Sequence, residues 1–153
     1  DSRRRTSMTI RDILEEKGSR VITIDPHYTL YLALSTLVEN KVGALIVQNQ
    51  IGELIGIITE RDLMREVYKD VDLRAVRVEE VMTRSIVMGT PDHDIEYVMA
   101  EMTEGRFRHM PVIEEDALVG IISIGDLVKA KLQHAQEEVT QYKDFVTLDW
   151  RAS

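Results

Sequence analysis

Two hydrophobic periods alternate along this chain. Leu30, Ala33, Leu34, Leu37 and Val38 recur at the spacing of one helical face, and Ile95, Val98, Met99 and Met102 do so again. Each of these helices follows a Pro-containing turn and a β-rich run, residues 21–24 in one case and 86–88 in the other. Short continuous apolar runs come next: 44–47 and 54–58 in the first half, 110–113 and 118–122 in the second. Runs of that length without alternation predict strands buried on both faces. A further helix is predicted to start at Thr59 and another at Ser123. The predicted order is β-α-β-β-α, twice.

The duplication is written in the residues as well as in the pattern. Gly56-Ile57-Ile58-Thr59-Glu60-Arg61-Asp62-Leu63 returns as Gly120-Ile121-Ile122-Ser123-Ile124-Gly125-Asp126-Leu127, an offset of 64 residues from Asp62 to Asp126. Earlier in each unit the offset is 65, from Pro26 to Pro91 and from Val47 to Val112. The one-residue slip falls in the connector after Val47, where a hairpin turn absorbs it without disturbing core register. Self-similarity at this period marks a repeat architecture. A unit of about 60 residues is too small to bury much surface alone, so two copies are expected to share a core. The expected organisation is a disordered lead over 1–8, a first unit over 9–69 and a linker over 70–77. A second unit over 78–133 and a C-terminal helix and tail over 134–153 complete it.

Composition narrows the function classes. Apolar residues make up 44% and charged residues 30%, the balance of a globular protein. No apolar run approaches the roughly 20 residues of a membrane span, and no signal-peptide pattern is present, so a cytoplasmic setting is expected. The absence of cysteine removes disulfides, zinc–thiolate sites and thiol catalysis. A net charge of −8 argues against a nucleic-acid duplex as the main partner. No GxxxxGK[ST] loop and no GxGxxG is present, so an ATP hydrolase or a dehydrogenase lacks its parts. No zinc-type spacing relates His27, His93, His109 and His134, so no metal is expected. Asp92-His93-Asp94 reads as the opening of a helix rather than a metal cluster. The methionines of the second unit read as core filler.

Thr59 with Asp62, and Ser123 with Asp126, form the Ser/Thr-x-x-Asp pattern of a capping box. Capping alone accounts for these residues. A helix N-terminus also presents unpaired N–H groups and partial positive charge, which suits phosphate. Both readings stand on the sequence.

The repeated Gly-Ile-Ile-Ser/Thr-x-x-Asp-Leu, the Val81-Met82-Thr83 opening and the Arg108-His109-Met110-Pro111-Val112 strand together resemble a tandem cystathionine-β-synthase (CBS) domain pair. The likeness runs from about Thr9 to Leu132 and is closest to stand-alone bacterial CBS-pair proteins. It implies an α/β fold of two β-α-β-β-α units about a pseudo-twofold axis, with an extra C-terminal helix. It also implies a regulatory module, not an enzyme, that binds AMP, ADP, ATP or NAD as a ligand in signal transduction or energy sensing. Asp62 and Asp126 would then hold ribose. Thr59, Arg61, Ser123, Arg108 and His109 would hold phosphate. The adenine slot would come from Ser19, Arg20, Val21 and Ile22 in one site and Ser85, Ile86 and Val87 in the other, with Ala44, Met110 and Pro111. Arg61 answers to Gly125, and Arg108-His109 to Gly43-Ala44, so the two sites are expected to be unequal. His109 would make binding pH-sensitive.

The tail repeats apolar residues at helical spacing, Val139, Tyr142, Phe145 and Val146. A helix docked on its own chain and a helix reaching across a homodimer both fit. The alternative to a nucleotide receptor is a ligand-independent dimerisation or scaffold module.

Overall fold

The computed structural model describes residues 8–152, with side chains described as far as residue 144. The lead assigned to residues 1–8 therefore lies, up to residue 7, outside the described residues, as do the side chains of Phe145 and Val146. The elements in chain order are α1 (Ile10–Lys17), β1 (Thr23–Ile24), α2 (Leu30–Asn40), β2 (Ala44–Gln48), β3 (Leu54–Thr59) and α3 (Glu60–Tyr68). They continue as α4 (Val78–Val81), α5 (Ile95–Gly105), β4 (His109–Glu114), β5 (Ala117–Ser123) and α6 (Ile124–Ala152).

The two helical faces seen in the sequence are real. In α2, Leu30, Ala33 and Leu37 are buried, and in α5, Ile95, Val98 and Met102. Val38 is the exception: it faces solvent, at 67% exposure. Thr29 and Asp94 cap these helices, accepting from the Leu32 and Glu96 amides, so the Asp92-His93-Asp94 cluster does open a helix.

In the first unit β1 runs parallel to β2, and β2 antiparallel to β3. In the second, β4 and β5 form an antiparallel pair. The strand expected over 86–88 is not formed. Among the described residues, the nearest pairing is a single parallel bridge just past that run, between Gly89 and Val112. The matching position of the first unit is Ile24, a strong strand former, whereas Gly89 has no side chain and lies under the Met110 thioether. The hairpins explain the change of offset. The first closes through an Asn49 side chain that accepts the Ile51 and Glu53 amides, with Gly52 at φ 85°. The second closes through Glu115 and Asp116, both left-handed, in a shorter turn.

Three apolar clusters hold the molecule together, and they do not follow the unit boundaries. The first-unit core of Ile24, Leu30, Leu37, Leu45, Val47, Ile58 and Leu63 is completed by Val78 and Met82, from α4 and the residue after it. The second-unit core of Ile95, Val98, Met102, Met110, Val112, Ile122 and Leu127 is completed by Ile10 and Ile13, from α1. Each unit thus receives its leading helix from the other side of the molecule. The backbone seals the exchange symmetrically: Ile10 N–H donates to His93 O (3.0 Å), and Val78 N–H donates to Tyr28 O (2.8 Å). A third cluster lies where the sheets face each other, Ala44, Ile46 and Ile57 against Val21, Ile86, Leu118 and Ile121.

The glycine of the repeated motif has its reason here. A Cβ at Gly120 would meet Leu14 Cδ2 at 2.6 Å, and a Cβ at Gly56 would overlap the Met82 side chain. Each glycine is the seat on which the exchanged helix rests. The expected C-terminal helix is present as an unbroken continuation of α6, not as a separate element.

Candidate functional site

Both Ser/Thr-x-x-Asp pairs close as capping boxes. Thr59 N–H donates to Asp62 Oδ2 (2.9 Å), and Asp62 N–H donates to the Thr59 hydroxyl (3.2 Å). Ser123 N–H donates to Asp126 Oδ2 (2.8 Å), and Asp126 N–H donates to Ser123 Oγ (3.1 Å). The local geometry is duplicated, but the surroundings are not.

Around Asp62 a cleft of about 670 Å³ opens between the units, within the range of small-molecule sites. The first unit contributes Thr59, Glu60, Arg61, Asp62 and Arg65, and the second contributes Arg106, Phe107, Arg108 and His109. Thr83, held on β3 by reciprocal backbone bonds with Ile57, forms part of the wall. Asp62 is 8% exposed, and its Oδ1 accepts from Arg65 Nη1 (3.2 Å). In a chain of net charge −8, Arg61, Arg65, Arg106 and Arg108 gather here against only Glu60 and Asp62. Guanidinium forks turned to one cavity suit an oxyanion.

His109 closes the inner wall. Its Nε2 lies 3.2 Å from where a Cβ on Gly43 would stand, so any side chain there would press on the ring. Burial holds its imidazole below the ordinary 6.5, against the pull of Glu60 and Asp126 and with the help of Lys17 and Arg108. The ring is therefore neutral at pH 7.

Ser123 and Asp126 do not line this cleft. Asp126 Oδ2 accepts from Lys17 Nζ (2.7 Å), which also donates to Ile121 O (2.9 Å). Burial would raise the Asp126 carboxyl, but Lys17 and the Ser123 amide and hydroxyl together hold it below the usual carboxylate range.

None of the residues assigned to an adenine slot lines the Asp62 cleft. Val21 and Ile86 pack on the central cluster, and Ala44 belongs to it. Met110 is wholly buried in the second-unit core. Pro111 pairs with Ile121 and gives its carbonyl to Gly89 N–H (3.0 Å). The Arg20 guanidinium is turned away to the end of α2, on Asn40 Oδ1 (2.7 Å). Ser19 and Ser85 are exposed, as is Val87, at 39%.

Three residues of these surroundings carry no motif. Arg65 could have been found as the i+3 partner of Asp62 on one helix. Arg106 sits in a left-handed C-cap after α5, where a basic residue reads as dipole compensation. Lys17 gives no signal, because it reaches Asp126 only through the exchange of helices.

A family model described as CBS domain matches the chain twice, over residues 10–69 and 78–133. The sequence is 33% identical to the CBS domain-containing protein CBSX3, mitochondrial, of Arabidopsis thaliana, over 92% of this chain and 72% of that protein. In structure it is similar to the CBS-domain containing protein ATU1752 from Agrobacterium tumefaciens, with a TM-score of 0.79 and 39% identity. That likeness covers 82% of this chain and 94% of that one. The same fold, at 23% identity and a TM-score of 0.71, is found in the CBS domain pair of protein MJ0100. That pair was solved with 5′-methylthioadenosine and S-adenosyl-L-methionine, and the likeness covers 81% of this chain and 95% of it.

Proposed function

Because the chain belongs to the CBS domain family, as a tandem pair of the regulatory, signal-transduction kind, we propose that it is a non-catalytic receptor for an adenine nucleotide, AMP, ADP, ATP or NAD. One observation carries this reading. The buried carboxylate of Asp62 and the arginines of both units converge on one cleft. A carboxylate accepts from the two vicinal hydroxyls of a ribose. Arg61, beside Asp62, and Arg106 and Arg108, from the second unit, take the phosphate. His109 and Thr59 line the same cleft. The sign of the cleft separates this ligand class from S-adenosylmethionine, whose sulfonium is a cation.

Ligand binding would link the units, since residues of both touch the same molecule. A receptor of this kind acts by favouring one arrangement of the pair over another, and it can do so only for arrangements it binds unequally.

The second reading, a ligand-independent dimerisation module, rests on the completed capping boxes: Thr59 and Asp62 satisfy each other without any ligand. Thermal melting of nucleotide-free protein with AMP, ATP, NAD and S-adenosylmethionine separates the two. A nucleotide at about 100 times its dissociation constant adds roughly 2.7 kcal/mol of stability. We expect that shift with a phosphate-bearing nucleotide. Arg108→Ala should reduce it for AMP far more than for adenosine. No shift with any nucleotide would leave the scaffold reading.

A further inference from the structure

Lys17 makes the two halves of this receptor differ in a way that their shared motif does not show. In the first unit the chain leaves α4 early, and the Thr83 N–H donates to Ile57 O (2.9 Å). In the second unit the equivalent carbonyl, Ile121 O, is reached instead by the Lys17 ammonium at 2.9 Å, because α1 runs on for eight residues where α4 has four. The extra turn delivers a cation where the first unit has only backbone. That same ammonium bonds Asp126 Oδ2 at 2.7 Å, the two side chains being 33% and 23% exposed. Asp62 meets a cation too, but Arg65 lies on its own helix, 62% exposed and free to swing out. Lys17 is anchored by a helix whose Ile10 and Ile13 are buried in the opposite core.

We infer that Lys17 is an internal latch on the second site: it occupies the carboxylate that a ribose would need, so that the chain takes up one nucleotide, at Asp62, and not two. This rests on the reading of Asp62 and Asp126 as ribose ligands. A ribose whose two hydroxyls take both carboxylate oxygens must displace the Lys17 ammonium from Asp126 Oδ2 and break a charge-assisted hydrogen bond. At Asp62 the displaced arginine simply returns to water. The asymmetry thus follows from the length of one helix as well as from the uneven arginines.

Calorimetric titration of the nucleotide-free full chain with AMP, and in parallel with ATP, reads the latch as stoichiometry. The wild type is expected to take up one equivalent, lost in Asp62→Asn and kept in Asp126→Asn, with any second equivalent at least about tenfold weaker. Lys17→Met, which keeps the length and helix preference of the side chain, should take up two, and Lys17→Met with Asp126→Asn should return to one. Two equivalents of equal affinity in the wild type would overturn the latch while leaving the nucleotide reading intact, and this outcome needs no variant to fold. A single equivalent in a Lys17→Met protein that melts cooperatively would overturn it as well. No uptake by any of these proteins would overturn the nucleotide reading and the latch together.

Discussion

His109 is the side chain on which the two halves of the cleft meet, and its protonation couples folding to binding with opposite signs. Buried and neutral, it is held below its ordinary 6.5. The unfolded chain therefore takes up the extra proton as pH falls past that value. Its contribution to stability is complete above about pH 6.5 and is lost as pH drops through the lowered folded value. A bound phosphate favours the imidazolium, so nucleotide affinity should rise over the same acidic range. Glu60 and Asp126 on one side and Lys17 and Arg108 on the other set the size of the effect. Melting temperature and AMP affinity measured between about pH 8 and pH 5 should therefore move in opposite directions. His109→Gln should flatten both; a wild-type affinity flat across that range would remove His109 from the phosphate site. At this scale the sequence was legible in part, within the first copy of the motif and in the strand that opens the second unit's hairpin. Thr59, Arg61, Asp62, Arg108 and His109 do share one cleft. It was silent on Lys17, whose neighbour is set by tertiary exchange and not by local pattern.

Helix faces were readable because burial on one side imposes a period, and Leu30, Ala33 and Leu37 keep it. The short first strand of each unit was less so. Two or three apolar residues look alike whether they pair with a neighbour or lie unpaired against it, and the second unit's run makes one bridge at Gly89. Least visible was α1. It satisfies the helix period, but nothing in its residues says which core receives its apolar face. The packing gives that helix a measurable weight. Ile10 is fully buried among second-unit residues, so Ile10→Ala should cost about 2–5 kcal/mol, and Ile10→Val about 0.5–1.5 kcal/mol. Urea denaturation of the full chain checks this. A loss below about 0.5 kcal/mol for Ile10→Ala would mean that α1 does not pack on the second core.

At the scale of the molecule, the outer face of α6 is exposed among the described residues. Val128, Leu132, Val139 and Tyr142 are all exposed, from 44% to 70%, on a helix that runs far past the second core. Their spacing returns the stripe to one side, as a helix pairing with another helix requires. No helix among the described residues is long and apolar enough to cross a membrane. We propose a homodimer, with this stripe as part of its contact. Sedimentation at micromolar concentration should give twice the 17.6 kDa chain mass, and Leu132→Glu with Val139→Glu should shift it toward the monomer. A wild-type monomer would sink the dimer.

The exchange of leading helices has a consequence for how the chain is made. The segment around Ile10 and Ile13 finds its resting place among residues such as Val112, Ile122 and Leu127, which leave the ribosome about a hundred positions later. The first half can collapse around its own strands but waits for Val78 and Met82, while α1 waits for the second-unit core. An earlier-made helix thus closes over a later-made core, so that neither unit completes its interior before residues of the other have emerged.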